Sequence, residues 1–137
     1  MGGEEVKINA DTNVLVRSAV RDDEAQARIA DKVLTSAKLI AVALPTLCEF
    51  VWVLRSVYDL SVSDVVSAVR MLISSSNVVC DRPAVELGLA MLEAGGDFAD
   101  GVIAHEGAWL GAETFVSFDR TAVDLLEQRG HAAKLLR

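Results

Sequence analysis

Apolar and polar positions follow two patterns along this chain, and each pattern predicts one kind of element. Short apolar runs bounded by polar or turn-forming residues predict strands, whereas apolar residues three or four positions apart predict helices with one buried face. The first pattern occurs at residues 6–10, 39–44, 78–80, 114–118 and 132–136. The second occurs at residues 22–34, 46–58, 63–73, 84–94, 97–110 and 120–129. The sequence therefore predicts strands that alternate with helices.

Strands separated by helices need crossover connections, so they are expected to pair in parallel. We therefore predict an α/β fold in three layers, with a mostly parallel twisted sheet of four to five strands and helices on both faces. A length of 137 residues suits a single domain over residues 1–137, and a hydrophobic content of 52% is typical of a packed globule. In such sheets, ligands bind beyond the carboxyl ends of the strands.

The sequence also carries information on the compartment of the protein. No apolar run is long enough to cross a bilayer, so no membrane partner is expected. Residues 1–10 lack the basic region and apolar stretch of a signal peptide, which predicts a cytoplasmic protein. Cys48 and Cys80 lie in apolar segments without a CxxC pair, so we expect two buried, reduced thiols.

The formal net charge of −7 limits how this protein could meet nucleic acid. It argues against broad, sequence-independent binding through a basic surface. It remains compatible with a nuclease, because carboxylates can hold metal ions that in turn attract phosphate. An acidic protein of this size also suits a basic protein partner.

Four acidic residues lie where an apolar segment meets a turn or a helix start. Asp11 and Asp119 follow predicted strands, whereas Glu49 and Asp100 lie in the first turns of predicted helices. All four are therefore expected at the carboxyl edge of one sheet. Carboxylate oxygens are ligands of hard divalent cations, and such metal sites hydrolyse phosphodiesters.

Each acid also has a purely structural explanation. Glu49 completes a capping-box pattern, and Asp97 is a suitable N-cap that leaves Asp100 at a position favoured by the helix dipole. Asp119 could cap the following helix, and Asp11 could begin an Asx-turn. These explanations treat the acids one at a time and leave their shared edge unexplained, and capping is compatible with metal binding.

Four segments of the chain, each with one of these acids, resemble the signature blocks of PIN-domain ribonucleases. They are ADTNVLVR, CEFVWVLRSVY, DFADGVIAHEGAWLGA and TFVSFDR. The resemblance is closest to the VapC-type toxins of bacterial toxin–antitoxin pairs, and it extends from about Ile8 to Thr121. Gly101 departs from the alanine usual in the family, and glycine there costs about 1 kcal/mol of helix stability. Ser117 replaces a frequent threonine.

The resemblance implies a PIN-like fold and assigns roles to particular residues. Asp11, Glu49, Asp100 and Asp119 would be the metal-binding and catalytic carboxylates. Asn13, Asp97 and Ser117 would support them by orienting ligands or water. Three arginines, Arg17, Arg55 and Arg120, could contact phosphate or could form surface salt bridges instead.

The activity implied is that of an endoribonuclease that uses Mg²⁺ or Mn²⁺ and leaves 5′-phosphate and 3′-hydroxyl ends. Toxins of this family usually form homodimers, and an antitoxin tail covers the acidic cleft. The pattern of large apolar residues agrees with such partners, since one buried face does not need all of them. They are Phe50, Trp52, Leu54, Tyr58 and Trp109.

Two other functions fit parts of the sequence less well. A catalytically silent PIN-like module that only binds protein or RNA would be favoured if an acid were missing, and none is. A receiver domain phosphorylated on aspartate would need adjacent acids after the first strand and a lysine after a late strand. The chain has DTN and SFDR at those places.

Overall fold

A computed structural model describes residues 6–137 of the chain. The prediction that residues 1–10 lack a signal peptide therefore falls partly on residues 1–5, which lie outside the described residues. Helices occupy 61% of these residues, and the strands are short. The chain divides into two compact units, one up to Asp81 and the other from Arg82 onwards. Each unit contains part of the predicted carboxylate set.

The first unit combines helices with a small parallel sheet. Its central strand, Leu39–Ala41 (β2), pairs with Lys7–Asn9 (β1) on one side and Val78–Val79 (β3) on the other, and Ile8 lies opposite Ile40 in the register. The elements in order are β1 (Lys7–Asn9), α1 (Thr12–Val20), α2 (Glu24–Ser36), β2 (Leu39–Ala41), α3 (Leu44–Ser56), α4 (Val62–Ser74) and β3 (Val78–Val79).

Helix α3 begins earlier than its sequence pattern suggests. Pro45 stands in the first turn, where its fixed φ suits a helix and its missing N–H has no intrahelical partner to lose. The run at 39–44 is therefore divided between β2 and α3. Further along, α3 buries Leu47, Phe50 and Leu54 at helical spacing, and this face anchors the helix in the core of the first unit.

The second unit has three helices and two parallel strands. Strand Phe115–Ser117 (β4) pairs with Ala133–Leu135 (β5), with Val116 opposite Lys134. The helices Arg82–Glu93 (α5) and Phe98–Trp109 (α6) pack directly against each other through glycines, since a Cβ on Gly101 of α6 would collide with the backbone at Gly88 of α5. The elements are α5 (Arg82–Glu93), α6 (Phe98–Trp109), β4 (Phe115–Ser117), α7 (Arg120–Gln128) and β5 (Ala133–Leu135).

The predicted fold class is wrong. In residues 6–137 the strands form one sheet of three and one of two, in place of a single sheet of four to five strands, and helix dominates. The strands are only two or three residues long, and helices begin soon after several of them. Helix α1 starts at Thr12, three residues after β1, and α3 starts at Leu44, three residues after β2. A three-layer arrangement around one sheet is not observed.

A helix that crosses a bilayer must be both long and apolar. Among residues 6–137, no helix is both long enough and apolar enough to span a membrane.

Candidate metal-binding carboxylates

Asp11 lies between β1 and α1, at the position that caps the helix. Its backbone is extended, and its side chain makes no capping hydrogen bond to the helix. The Asx-turn explanation for this residue therefore lacks its hydrogen bond. The side chain is exposed at a helix N-terminus, where the dipole stabilises a negative charge. Asp11 thus offers a carboxylate that its own helix does not use.

Thr12 follows Asp11 and is the one buried polar side chain within residues 6–137, with 6% of its surface exposed. Its hydroxyl donates a hydrogen bond of 2.6 Å to Oε1 of Glu49, which is 37 positions away along the chain. A hydroxyl that donates to a carboxylate forms a short and strong bond. This contact connects the start of α1 to α3, and no local pattern in the sequence predicts it.

Glu49 therefore has a different role from the one that a capping box would give it. The N-cap of α3 is Ala43, so Glu49 lies inside the helix, more than one turn from its start. The capping explanation for this residue is wrong, because the helix begins before the residue that the pattern made its cap. The carboxylate is exposed and is held by Thr12 instead.

Asp97 and Asp100 begin helix α6 in the second unit. Asp97 is the N-cap and accepts a hydrogen bond of 3.2 Å from the backbone N–H of Ala99, as the sequence predicted. Asp100 lies in the first turn and is half-buried. The two carboxylates therefore differ in environment, since only that of Asp97 caps the helix.

Asp119 is the N-cap of α7, directly after β4. Its Oδ1 accepts hydrogen bonds from the backbone N–H groups of Thr121, at 2.9 Å, and Ala122, at 3.3 Å. Its own N–H donates to the Ser117 hydroxyl oxygen at 2.9 Å. The capping explanation is confirmed for this residue, but Oδ2 accepts no hydrogen bond within the described part of the chain. One oxygen of Asp119 thus remains available to a ligand.

The electrostatics of the second unit centre on Asp100. Burial raises the pKa of the Asp100 carboxyl above its ordinary value, and the negative charges of Asp97 and Asp119 raise it further. Negative charges near a carboxylate oppose its ionisation, and a bound cation would relieve this repulsion. Asp97 and Asp119 are therefore close enough to Asp100 for their charges to act on it.

Other residues named from the sequence occupy distinct surroundings. Asn13 is exposed in the first turn of α1. Arg17 forms an ion pair of 2.9 Å with Asp22, and Arg55 donates a hydrogen bond to the Leu60 carbonyl. Both arginine side chains therefore already bind groups within the protein. Arg120 is exposed and forms no ion pair or side-chain hydrogen bond within residues 6–137. It is the one arginine of the three whose side chain makes none of these contacts in the described part of the chain.

Several large apolar side chains remain outside the cores of the two units. In the first unit Trp52 is 61% exposed, whereas Phe50 and Leu54 on the same helix are buried and cannot meet a partner. In the second unit Trp109 is 85% exposed. Beside it, α6 and β4 line an open cavity of about 240 Å³ whose polar lining includes Glu113 and His131. The other large apolar side chains exposed in the second unit are those of Ile103, Leu110, Val116 and Phe118.

Two further groups were named from the sequence and have other surroundings than expected. Cys48 and Cys80 are half-buried, so the expectation of fully buried thiols is wrong in degree. His105 in α6 has a buried Nδ1 without a hydrogen-bond partner among the described residues. Neither the cysteines nor His105 forms, with the carboxylates, a group of three metal ligands among residues 6–137.

The donors fit a hard cation in chemical type, because all are carboxylate or hydroxyl oxygens. Within residues 6–137, however, no three side chains among histidine, cysteine, aspartate and glutamate form a group that could hold a metal ion. The unpaired Oδ2 of Asp119 and the raised pKa of Asp100 are the observations that favour a cation.

Comparisons with known proteins complete this description. Neither the models of protein families nor the curated protein sequences give a match to this chain.

Proposed function

We propose that this protein is an endoribonuclease that depends on Mg²⁺ or Mn²⁺ and acts as the toxin of a toxin–antitoxin pair. The observation that supports it best is the hydrogen bond of Thr12 to Glu49, because it joins two of the segments that resemble PIN-domain ribonucleases. The electrostatic coupling of Asp100 to Asp119 joins the other two. In each unit, one such interaction therefore relates two of the four segments.

Asp11, Glu49, Asp100 and Asp119 supply the carboxylates in this proposal. A bound divalent cation would supply a Lewis acid, which lowers the pKa of a water molecule and neutralises charge on the phosphate. Other groups of the protein hold two of these carboxylates in position. Thr12 orients Glu49, and the amides at the start of α7 hold one oxygen of Asp119 in place.

Helix N-termini contribute to the electrostatics of the proposed site. Asp11 and Asp119 are N-caps, and Asp100 lies in a first turn. The positive ends of these helix dipoles favour ionised carboxylates and also attract phosphate oxygens. An acidic protein can in this way bind RNA locally without a basic surface.

The proposal is tested by cleavage of an end-labelled RNA with the full chain in Mg²⁺, Mn²⁺ or a chelator. Cleavage should require the metal, and Mn²⁺ should raise the melting temperature by mass action. Asp100→Asn should reduce cleavage by orders of magnitude, whereas Asp97→Asn retains a good N-cap and should keep most activity. Glu106→Gln, on the same helix, is the matched control for loss of charge.

A cycle of substitutions within the second unit tests whether its carboxylates act on the same metal ions. Asp100→Asn and Asp119→Asn are compared singly and together for Mn²⁺ affinity and cleavage. If both acids serve one reaction, the double variant should lose little more than the stronger single variant. Fully additive losses, or unchanged cleavage and unchanged melting temperature in saturating Mn²⁺, would refute the proposal.

The toxin role concerns protein partners. We propose that the chain forms a homodimer and that an antitoxin with a cationic segment binds it, since the net charge of −7 favours a basic partner. The exposed Trp52 and Trp109 are the aromatic side chains available to such interfaces. We propose a cytoplasmic location for this activity, where such a toxin would meet its RNA substrate.

Sedimentation and fluorescence test these partners. Sedimentation at micromolar concentration should give a dimer, and coexpression with the protein encoded beside this gene should abolish RNA cleavage. With Trp52→Phe, the remaining fluorescence reports on Trp109 alone, and the reverse holds for Trp109→Phe. A monomer whose cleavage persists in the complex would contradict the toxin role while leaving the nuclease activity standing.

A silent module that binds protein or RNA is the second candidate. It is favoured by one observation, that no group of three potential ligands forms among residues 6–137. It predicts RNA or protein binding that does not change between Mn²⁺ and chelator, with no cleavage in either. The metal-dependent assay above therefore separates the two candidates.

A further inference from the structure

Phe118 differs from the other phenylalanines of this protein in its exposure to solvent. Phe50 and Phe98 are almost fully buried and Phe115 is half-buried, whereas 76% of Phe118 is exposed. The residues directly before and after it are polar, so the ring is not the centre of an apolar segment. The ring is therefore open to a ligand.

Hydrogen bonds hold the backbone on both sides of Phe118. The Ser117 carbonyl accepts a hydrogen bond of 2.7 Å from the N–H of Leu136, and the Ser117 hydroxyl oxygen accepts one of 2.9 Å from the N–H of Asp119. Oδ1 of Asp119 in turn accepts two N–H groups in the first turn of α7. A side chain on a fixed backbone loses less conformational freedom on binding than one on a mobile loop. Phe118 is thus preorganised for a ligand.

Arg120 brings a positive charge close to this ring. It lies two residues after Phe118, a length of chain that spans about 7 Å at most. Its side chain is exposed, and its guanidinium forms no ion pair or hydrogen bond within residues 6–137. One ligand can therefore meet an aromatic ring and an unpaired cation together.

A nucleotide of RNA has both of the complementary groups. Its base offers a flat π-face that stacks on aromatic side chains, and its phosphate carries the negative charge that arginine binds. The base must be unpaired, because the bases of an RNA helix are covered by their neighbours. An apolar segment of a protein would cover the ring of Phe118 but leave the charge of Arg120 unused, so the observations favour RNA over a protein partner.

We infer that Phe118 stacks on an unpaired base of bound RNA and that Arg120 binds a phosphate next to that base. This inference rests on the proposed function, since it takes RNA as the substrate, but it requires no metal ion. Phe118 directly precedes Asp119, so in the proposed function the stacked base lies beside the bond that is cleaved. A ring outside the set of acids thereby decides where RNA is bound.

The test compares two probes with the full chain in chelator, so that neither cleavage nor a bound cation contributes. One probe is a short fluorescent RNA of mixed sequence, and the other is an abasic oligomer of the same length, which keeps the phosphates and lacks the bases. Phe118→Ala should weaken binding of the RNA by about tenfold and leave binding of the abasic oligomer unchanged. Arg120→Ala should weaken binding of both probes, because both carry phosphates.

Further variants separate stacking from other effects of the substitution. Phe118→Trp keeps an aromatic ring and should bind the RNA at least as tightly as the unsubstituted chain. Phe118→Leu keeps an apolar side chain without a ring and should bind the RNA as weakly as Phe118→Ala. Leu110→Ala is the matched control, because it truncates a side chain of the same unit that is 84% exposed. It should change binding of neither probe.

The outcomes also separate this inference from the proposed function. If the unsubstituted chain binds the RNA and Phe118→Ala binds it equally well, or loses the abasic oligomer to the same extent, the role of Phe118 is refuted and the proposed function stands. A change in the sedimentation of Phe118→Ala without a change in RNA binding would assign the ring to a protein interface and refute the inference as well.

Two other results decide the remaining cases. If the chain binds RNA through Phe118 but cleaves none in Mn²⁺, this inference stands and the nuclease activity is refuted. If no RNA binds in chelator, this inference is overturned, and cleavage in Mn²⁺ alone decides the proposed function.

Discussion

Gly101 of α6 lies against Gly88 of α5 so closely that a Cβ on Gly101 would come within 2.7 Å of the Gly88 Cα. The same Cβ would meet the Leu87 carbonyl oxygen at 2.7 Å. Both obstacles are backbone atoms, which cannot move aside as a side chain can. The glycine that seemed a cost to helix stability is therefore what allows α6, with Asp100 in its first turn, to pack on α5.

Gly101→Ala should destabilise the protein despite the better helix propensity of alanine. The overlap with the α5 backbone should cost about 1–3 kcal/mol, against a propensity gain of about 1 kcal/mol. Gly107→Ala is the matched control, because it lies in the same helix with nothing within 4 Å of the added Cβ. It should leave stability unchanged or raise it by up to about 1 kcal/mol. Urea denaturation of both variants measures the difference, and equal stabilities would contradict this account.

The raised pKa of Asp100 predicts a stability effect with a definite sign. An acid whose pKa is higher in the folded state contributes stability below its ordinary value of 3.8, and this contribution is lost as pH rises through the folded pKa. At neutral pH the ionised Asp100 is therefore unfavourable. Asp100→Asn should melt at a higher temperature than the unsubstituted chain in chelator near neutral pH.

The same difference in melting temperature should shrink as the pH is lowered through the folded pKa of Asp100 towards 3.8. Thermal melts in chelator across this range measure it, with Glu106→Gln as the control. A lower melting temperature for Asp100→Asn at neutral pH would show that burial and its acidic neighbours do not oppose its charge.

The contact of Tyr58 with Asp22 leads us to predict a second effect of pH on stability, in the first unit. Its hydroxyl donates to Oδ2 of Asp22 at 2.8 Å, and Arg17 binds Oδ1. The Tyr58 hydrogen bond is the largest cause that lowers the pKa of Asp22, followed by the Arg17 hydrogen bond and charge. Stability from the ionised Asp22 is therefore present above 3.8 and is lost as pH falls through the lower, folded pKa.

Tyr58→Phe should accordingly lower the melting temperature at neutral pH, and the difference should disappear in acid below the folded pKa of Asp22. Asp22→Asn removes the charge that Tyr58 and Arg17 share, so the two substitutions together should cost less than their sum. Thermal melts of the three variants measure this. A pH-independent effect of Tyr58→Phe would assign its role to packing alone.

Substitution of Arg120 should affect RNA binding in the proposed function. It adjoins Asp119 at the start of α7 and has no ion-pair partner among residues 6–137. Arg120→Ala should weaken RNA binding for all sequences and lower the slope of affinity against salt by about one phosphate contact. Arg129→Ala, at the opposite end of α7, should change neither quantity. Equal effects of the two substitutions would show a diffuse role for charge.

The positions of most helices could be predicted from the sequence. Helix α2 was predicted at 22–34 and occupies Glu24–Ser36, and α5 was predicted at 84–94 and occupies Arg82–Glu93. The caps Asp97 and Asp119 were also recognised. These features depend on side-chain spacing and on hydrogen bonds within three residues, so the local sequence contains the information that decides them.

The sheet and the surroundings of the acids were decided only by tertiary structure. Strand length depends on which backbones remain within hydrogen-bonding distance, and a short apolar run cannot specify its neighbour. The bond of Thr12 to Glu49 joins residues 37 positions apart, so no local pattern could predict that the glutamate leaves the capping role. The close approach at Gly101 likewise exists only because α5 lies beside α6. The sequence by itself indicated that Asp11, Asp97, Asp100 and Asp119 stand at helix starts, whereas tertiary structure placed Glu49 inside α3 and decided what each acid touches.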